Sequence, residues 1–128
     1  MSDESKRERA KRVFQQVNGF PAPDPPDFFQ ELTLDHVFGE LWTRAGLTRK
    51  ERRWITLTTI AMTGAQTAMD VHVRSALSSG DISIEEMEEF VAHFAHYAGF
   101  PIATQMYTTF RRIAGELEAA SKSDGPTP

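Results

Sequence analysis

The sequence predicts an all-α fold, a single-domain bundle of about six helices that is expected to oligomerise. Two segments, Thr48-x-x-Glu51 and Ser83-x-x-Glu86, are capping boxes, in which a hydroxyl and a carboxylate each satisfy an N–H at a helix start. No segment shows the sustained alternation of a β-strand. Near the C terminus, apolar residues recur at helical spacing, at Ile102, Met106, Phe110, Ile113 and Leu117.

A proline-rich connector separates the first predicted helix from the second, and a glycine follows the second. A charged helix is predicted over Asp3–Val17, and an extended connector follows, with four prolines within residues 21–26. Proline lacks an N–H and restricts the residue before it, so this connector cannot continue the helix. The second helix covers residues 27 to about 43 and ends before Gly46.

Four further helices are predicted after Gly46. One runs from Arg49 to about Thr63; residues 56–60 are rich in strand-forming types but lie between a helix cap and Gly64. The next covers residues 66–79, and a third runs from the Ser83 box to residue 97 or 98. Pro101 opens the last helix, at a position where its missing N–H costs nothing.

Length and composition favour one small globular domain. The chain has 128 residues, 40 % of them apolar and 25 % charged. We assign residues 1–120 to the domain, with residues 1–26 as N-terminal helix and connector, and residues 121–128 to a disordered tail. The net charge of −4 argues against a nucleic-acid partner. No signal-peptide-like or membrane-length apolar run is present, which predicts a cytoplasmic location without membrane contact.

Three blocks of sequence carry a family resemblance. Residues 38–52 read FGELWTRAGLTRKER, residues 72–80 read HVRSALSSG, and residues 97–103 read YAGFPIA. In this order and spacing they resemble the carboxymuconolactone decarboxylase family, over roughly residues 9–117. The resemblance implies a helical fold of the alkylhydroperoxidase D-like type, assembled as homotrimers or homohexamers with active sites near subunit contacts.

One branch of that family, the alkylhydroperoxidase D type, uses the motif Glu-x11-Cys-x2-Cys-x3-His for thiol chemistry. Aligned on His72, the motif places Arg53 at the Glu position and Ala65 and Ala68 at the two Cys positions. The chain contains no cysteine, so it has neither a thiolate nucleophile nor a redox couple. A thiol peroxidase activity is therefore rejected on chemical grounds.

The decarboxylase branch is cofactor-free, and this resemblance implies a lyase or isomerase that needs no cofactor. Its substrate is an unsaturated lactone bearing a carboxylate, and the protein must hold the carboxylate, stabilise an oxyanion and protonate carbon. The chain departs from this branch before the histidine, where Thr67 and Ala68 replace a carboxylate. It also has Asp35-His36 where Glu-Tyr is frequent. A different carboxylated, lactone-like or other small anionic substrate is therefore expected, in aromatic-compound breakdown or in a tailoring pathway.

His72 is the candidate catalytic residue. An imidazole that titrates near neutrality suits general acid/base work, and the family resemblance points to this position. The alternative is a core histidine whose nitrogens bond to backbone. A metal site that combines His93 and His96 with His72 or His36 is not favoured, because no carboxylate stands at ligand spacing.

Several arginine, histidine and aromatic residues are candidates for substrate binding. Arg44 and Arg52 can clamp a carboxylate with their forked donors, or can instead cap a helix or pair with Asp35 or Glu40. Arg53 adds a cation to the site if it faces the pocket. The full set of candidates is Arg44, Arg52, Arg53, His36, Trp42, Trp54 and Tyr97.

Two functions from different classes remain open at this point. The first is a cofactor-independent decarboxylase-like enzyme that acts through His72. The second is a non-catalytic or ligand-binding member that has kept the fold and lost the chemistry. A pocket into which His72 points favours the enzyme, and one filled by Trp54 or Met69 favours the second.

Overall fold

The computed structural model of the chain describes residues 4–123, which form six helices and no strand. The all-α prediction is confirmed. The chain divides into two compact units, one up to Arg52 and one from Arg53 onward, which are described separately.

The first unit contains helices α1 and α2. Helix α1 (Lys6–Asn18) begins at a capping box formed by Ser5 and Glu8, and ends at Gly19, whose φ of 85° is left-handed. Helix α2 begins as one α-helical turn, Phe28–Glu31, with Asp27 accepting a hydrogen bond from the Gln30 N–H at 2.8 Å.

Helix α2 continues as a π-helical segment, Leu32–Leu41. The Trp42 N–H closes it by donating to the carbonyl of Val37, five residues earlier, at 3.0 Å. Three positions of this segment are buried: Leu34, and Phe38 and Gly39, which follow Leu34 by four and five residues, in keeping with the wider turn. The sequence predicted a helix here but not its π geometry.

Helices α1 and α2 pack closely within the first unit. Arg7 makes a two-pronged ion pair with Asp35, at 2.7 and 2.9 Å. A Cβ added to Gly39 would lie 3.0 Å from the Cβ of Ala10, so glycine is what allows this approach. The apolar centre of the unit is formed by Val13, Val17, Phe38, Phe14, Val37 and Trp42.

The second unit contains most of α3 and three complete helices. Their bounds are α3 Arg49–Thr63, α4 Gln66–Ser78, α5 Ile84–Ala98 and α6 Phe100–Ser123. Both predicted capping boxes are present, since Thr48 and Glu51 open α3 and Ser83 and Glu86 open α5. Residues 56–60 are helical, as predicted. Gly64 follows α3 with a left-handed φ of 70°.

Helix α6 packs against both α4 and α5 and closes the core of this unit. Its buried residues Met106, Phe110 and Ile113 stand at the three- and four-residue spacing that predicted the helix. Burying an apolar side chain of this size contributes about 1.5–3 kcal/mol. The contacts on the other helices come from Leu57, Ala61, Met69, Val73, Ala76, Met87, Val91, Phe94 and Ala95.

The predicted disordered tail needs a correction at its start. Helix α6 runs through Ser123, so residues 121–123 are helical. Lys122 pairs with Glu118 one turn earlier, at 3.1 Å, which supports the helix in a region without core contacts. Residues 124–128 lie outside the described part of the chain.

Candidate functional site

His72 lies in the middle of α4, at the edge of the core of the second unit. It is half-buried, and residues three or four positions away share its face of the helix, so Ala68 and Ser75 flank it. Three residues of α4 are fully buried towards the core: Met69, Val73 and Ala76.

The imidazole of His72 is held in its neutral form. Its Nδ1 is shielded from water and has no hydrogen-bond partner among the described residues. Burial, and after it the positive charge of Arg53, lowers the pKa of His72 from 6.5 to about 4. At pH 7 the ring therefore carries one N–H donor and one acceptor nitrogen, and can take up a proton when a negative charge comes close.

Arg53 is buried rather than exposed to solvent. It lies on α3 with 1 % of its surface accessible. Its Nε donates to Oδ2 of Asp81 at 2.6 Å, and its Nη2 lies 3.3 Å from Oγ of Ser75. Arg53 thus contacts α4 one turn beyond His72, and a fixed positive charge stands at the position where the thiol branch has an acid.

Asp81 and Ser75 were not predicted as site residues. Asp81 lies between α4 and α5, in a short connection where a charged residue usually faces water. Its carboxylate reaches Arg53, 28 residues earlier in the chain. Sequence spacing does not predict a contact between residues this far apart. The one signal in the sequence was that Arg53 stands where the thiol branch of the family has a glutamate.

Trp54 and Tyr97, two predicted substrate-binding residues, line one aromatic groove between α3 and α5. The groove has a volume of about 360 Å³ and is formed by Trp54, Thr58, Phe90, His93, Phe94 and Tyr97. Trp54 stacks on Phe90 with ring centres 5.3 Å apart. Tyr97 stacks on His93 at 5.2 Å and is 86 % exposed.

This groove is aromatic and contains no arginine or lysine among its lining residues. Glu86 and Glu89 line the depression next to it, which shares Trp54, Phe90 and His93. His72 is not among the residues that line either depression. The groove therefore offers aromatic surface but no cation to bind a carboxylate, and it does not include the histidine predicted to be catalytic.

The other predicted substrate-binding residues lie in the first unit. Arg52 donates from Nη2 to the carbonyl of Arg44 at 3.2 Å, and its buried Nε has no hydrogen-bond partner among the described residues. Arg44 is exposed, and Trp42 packs on Phe38 in the core of its unit. His36 is exposed on α2.

The acids considered as partners for Arg44 and Arg52 bond elsewhere. Asp35 pairs with Arg7, and Oε2 of Glu40 lies 3.1 Å from Nδ1 of His36. The structure shows no ion pair between these acids and the two arginines, and one buried donor nitrogen of Arg52 has no hydrogen-bond partner among the described residues.

Among residues 4–123, no group of three or more His, Asp or Glu side chains is arranged to hold a metal ion. His93 stacks on Tyr97, while His96 Nδ1 lies 2.6 Å from the carbonyl of Ala92. None of the described helices combines the length and the apolar character needed to cross a membrane.

Comparison with known proteins gives consistent matches. The model of the carboxymuconolactone decarboxylase family matches residues 27–111. A 4-carboxymuconolactone decarboxylase of Acinetobacter baylyi is 30 % identical over 73 residues, which cover 57 % of this chain and 54 % of that protein. A nitrosuccinic acid decarboxylase of Metarhizium robertsii is 38 % identical over 88 residues, 69 % of this chain and 61 % of that protein. The matches thus span between half and two thirds of each relative.

Proposed function

Because the chain belongs to the carboxymuconolactone decarboxylase family, we propose that it is a cofactor-independent carboxy-lyase. Its substrate is a small organic acid, and His72 is its general acid/base. The observation that carries the proposal is the state of His72, a half-buried neutral imidazole with an unpartnered nitrogen. Such a group is prepared to exchange a proton with a bound molecule.

The substrate class follows from the chemistry of decarboxylation. Losing carbon dioxide leaves an electron pair on carbon, which must delocalise into a neighbouring acceptor before a proton is delivered. The two relatives are named for a carboxylated lactone and a nitro diacid. A lactone carbonyl and a nitro group are both electron acceptors. We therefore propose an acid whose leaving carboxylate is conjugated or adjacent to such an acceptor, with a carboxylated lactone as the first choice.

The roles of the residues follow from their surroundings. In this proposal His72 transfers the proton. Of the two arginines of the first unit, Arg52, whose buried Nε has no hydrogen-bond partner among the described residues, is favoured over the exposed Arg44 as a group that binds a carboxylate. Nε of Arg53 is directed to Asp81 and its Nη2 to Ser75, and we assign it a role through its charge. His36, Trp42, Trp54 and Tyr97 are kept as candidate wall residues.

Self-association is part of the proposal. Large apolar side chains lie exposed in both units, including Phe28 and Phe29 in the first and Tyr97 and Phe100 in the second. Exposed aromatic surface of this kind favours a protein–protein contact. We propose a homotrimer or homohexamer that acts in the cytoplasm.

The test is a paired assay of the wild-type chain and His72→Ala. Carbon dioxide release is measured with 4-carboxymuconolactone, nitrosuccinate and a panel of carboxylated lactones. His96→Ala is the matched control, because it removes an exposed histidine of α5. Light scattering after size exclusion shows whether all three proteins assemble alike and gives the number of subunits.

Turnover by the wild type and His96→Ala that is lost in an equally assembled His72→Ala protein would support the proposal. Turnover that does not depend on His72 would refute its catalytic role, and no turnover of any acid would favour a second candidate. That candidate is a ligand-binding protein without catalysis, and the aromatic groove of Trp54 and Tyr97, which His72 does not line, favours it.

A further inference from the structure

Arg53 brings a permanent positive charge to the helix face that carries His72. Its side chain is 1 % exposed and contacts Asp81 at 2.6 Å and Ser75 at 3.3 Å. Ser75 stands three residues after His72, and residues three apart are neighbours on a helix surface. The guanidinium is therefore held against the same side of α4 from which the imidazole projects.

The other charges around α4 are paired on a different face. Asp70 pairs with Arg112 of α6 at 2.5 Å, and Arg74 pairs with Glu116 of the same helix. Helix geometry puts positions 70 and 74 on one side of α4, and positions 72 and 75 on another. These pairs are exposed and locally neutral, so their fields at His72 are weak.

Two further acidic groups lie in the segment that follows α4. Asp81 is bound to Arg53, and Glu86 of α5 accepts a hydrogen bond from the Ser83 N–H at 3.0 Å in the capping box. Asp81 offsets part of the charge of Arg53, but Nη2 of the guanidinium lies against Ser75, one helical turn from His72. After burial, the charge of Arg53 lowers the pKa of His72.

We propose that Arg53, held by Asp81 and Ser75, is a positioning residue whose buried charge, in addition to burial itself, disfavours protonation of the His72 imidazole in the free protein. The catalytic value of this arrangement rests on the proposed function. A neutral base beside a buried cation becomes protonated when an anionic substrate arrives, because the carboxylate offsets the field of Arg53. Proton uptake is then coupled to the binding of an acid, which disfavours neutral analogues.

The experiment measures the titration of His72 directly. Imidazole carbon and proton shifts of the full-length chain are followed by NMR against pH, without substrate. The His72 signal is identified by its loss in His72→Gln, and His36, His93 and His96 serve as internal references. The test variant is Arg53→Gln/Asp81→Asn, which removes both charges and keeps similar shapes; Arg53→Lys is the matched control that keeps the charge.

The expected result is a pKa of about 4 for His72 in the wild type. We expect it to rise by roughly one pH unit in the double variant and to stay low in Arg53→Lys. An unchanged pKa in the folded double variant, or an equal rise in Arg53→Lys, would overturn the proposal. If the amide pair does not fold, Arg53→Met/Asp81→Leu replaces it, since apolar substitutes for a buried ion pair are often tolerated.

The titration needs no turnover, so its outcome is independent of the decarboxylase assay. A chain that decarboxylates none of the acids can still show the shift, and that result would refute the proposed function alone. Turnover that depends on His72, together with an unshifted pKa in the double variant, would refute the role of Arg53 alone.

Discussion

Nε of Arg53 lies 2.6 Å from Oδ2 of Asp81, and the two side chains are 1 % and 13 % exposed. They come from α3 and from the connection between α4 and α5, 28 residues apart in the chain. An ion pair so far removed from water has two consequences. Removing one partner leaves the other charge buried and unpaired, which destabilises the fold. The charge of Arg53 also acts more strongly on neighbouring groups, because little water lies between them to screen it.

The first prediction concerns the stability of this pair. Arg53→Gln leaves the carboxylate of Asp81 without its buried partner, and should lower the free energy of unfolding by about 3–5 kcal/mol. Urea unfolding followed by circular dichroism measures the loss. In Arg53→Gln/Asp81→Asn most of it should be recovered, because no uncompensated charge remains. Losses that simply add in the double variant would show that the two residues do not act as a pair.

The second prediction is a dependence of stability on pH that originates in His72. Its folded-state pKa of about 4 lies below the 6.5 of an unperturbed histidine. The unfolded chain therefore binds more protons than the folded chain between these values. Stability from this group is complete above pH 6.5 and is lost as the pH falls towards 4, by at most about 3 kcal/mol.

Comparison of variants isolates this contribution from that of the carboxylates. The difference in unfolding free energy between pH 7 and pH 4.5 should be smaller in His72→Gln than in the wild type. His96→Gln, which removes an exposed histidine, should behave like the wild type. Equal pH dependence in wild type and His72→Gln would mean that His72 titrates at its ordinary value.

The success of the sequence in predicting helices and its failure at the ion pair have one physical origin. The starts of α3 and α5 depend on hydroxyl and carboxylate groups three residues apart, so Thr48 and Glu51 could be recognised without knowledge of the fold. The partner of Arg53 depends instead on how α3 and the α4–α5 connection pack. The family resemblance was enough to select His72 as a candidate, but only the structure shows that its Nδ1 is buried without a partner among the described residues.

The π geometry of α2 is a second feature that local patterns did not indicate. Its apolar positions are compatible with steps of three and four residues as well as of four and five. The choice is made by packing in the first unit, where Gly39 approaches Ala10 and Asp35 meets Arg7. Helix type here is a tertiary property, which single-sequence reasoning cannot supply.

The third prediction tests that packing at Gly39. In Gly39→Ala the new methyl group would lie 3.0 Å from the Cβ of Ala10, and neither atom belongs to a flexible side chain. The helices must move apart, at a cost of about 1–3 kcal/mol. Gly115→Ala is the matched control, because nothing lies within 4 Å of its added Cβ on α6. It should stabilise the protein by up to about 1 kcal/mol.

Thermal or urea unfolding of the two alanine variants distinguishes steric conflict from helix propensity. Propensity alone would make both substitutions favourable. A gain of stability in Gly39→Ala would therefore show that α1 and α2 do not approach as closely as described.

The fourth prediction rests on the proposed function and asks which arginine binds the carboxylate of the substrate. Arg52 has a buried Nε without a partner among the described residues, whereas Arg44 is exposed and offers its carbonyl to Arg52. A carboxylate that reaches Arg52 would satisfy this donor through a charge-assisted hydrogen bond, which is stronger than a bond to an exposed arginine. Arg52→Lys keeps the charge but removes the forked geometry, so KM should rise about tenfold or more with a smaller change in kcat. Arg44→Lys should change KM by less than about threefold, since an exposed charge is screened by water.

Steady-state kinetics of the two variants checks this ranking. A larger rise of KM in Arg44→Lys than in Arg52→Lys would indicate that Arg44 binds the carboxylate. Equal, small effects would mean that neither side chain binds the substrate.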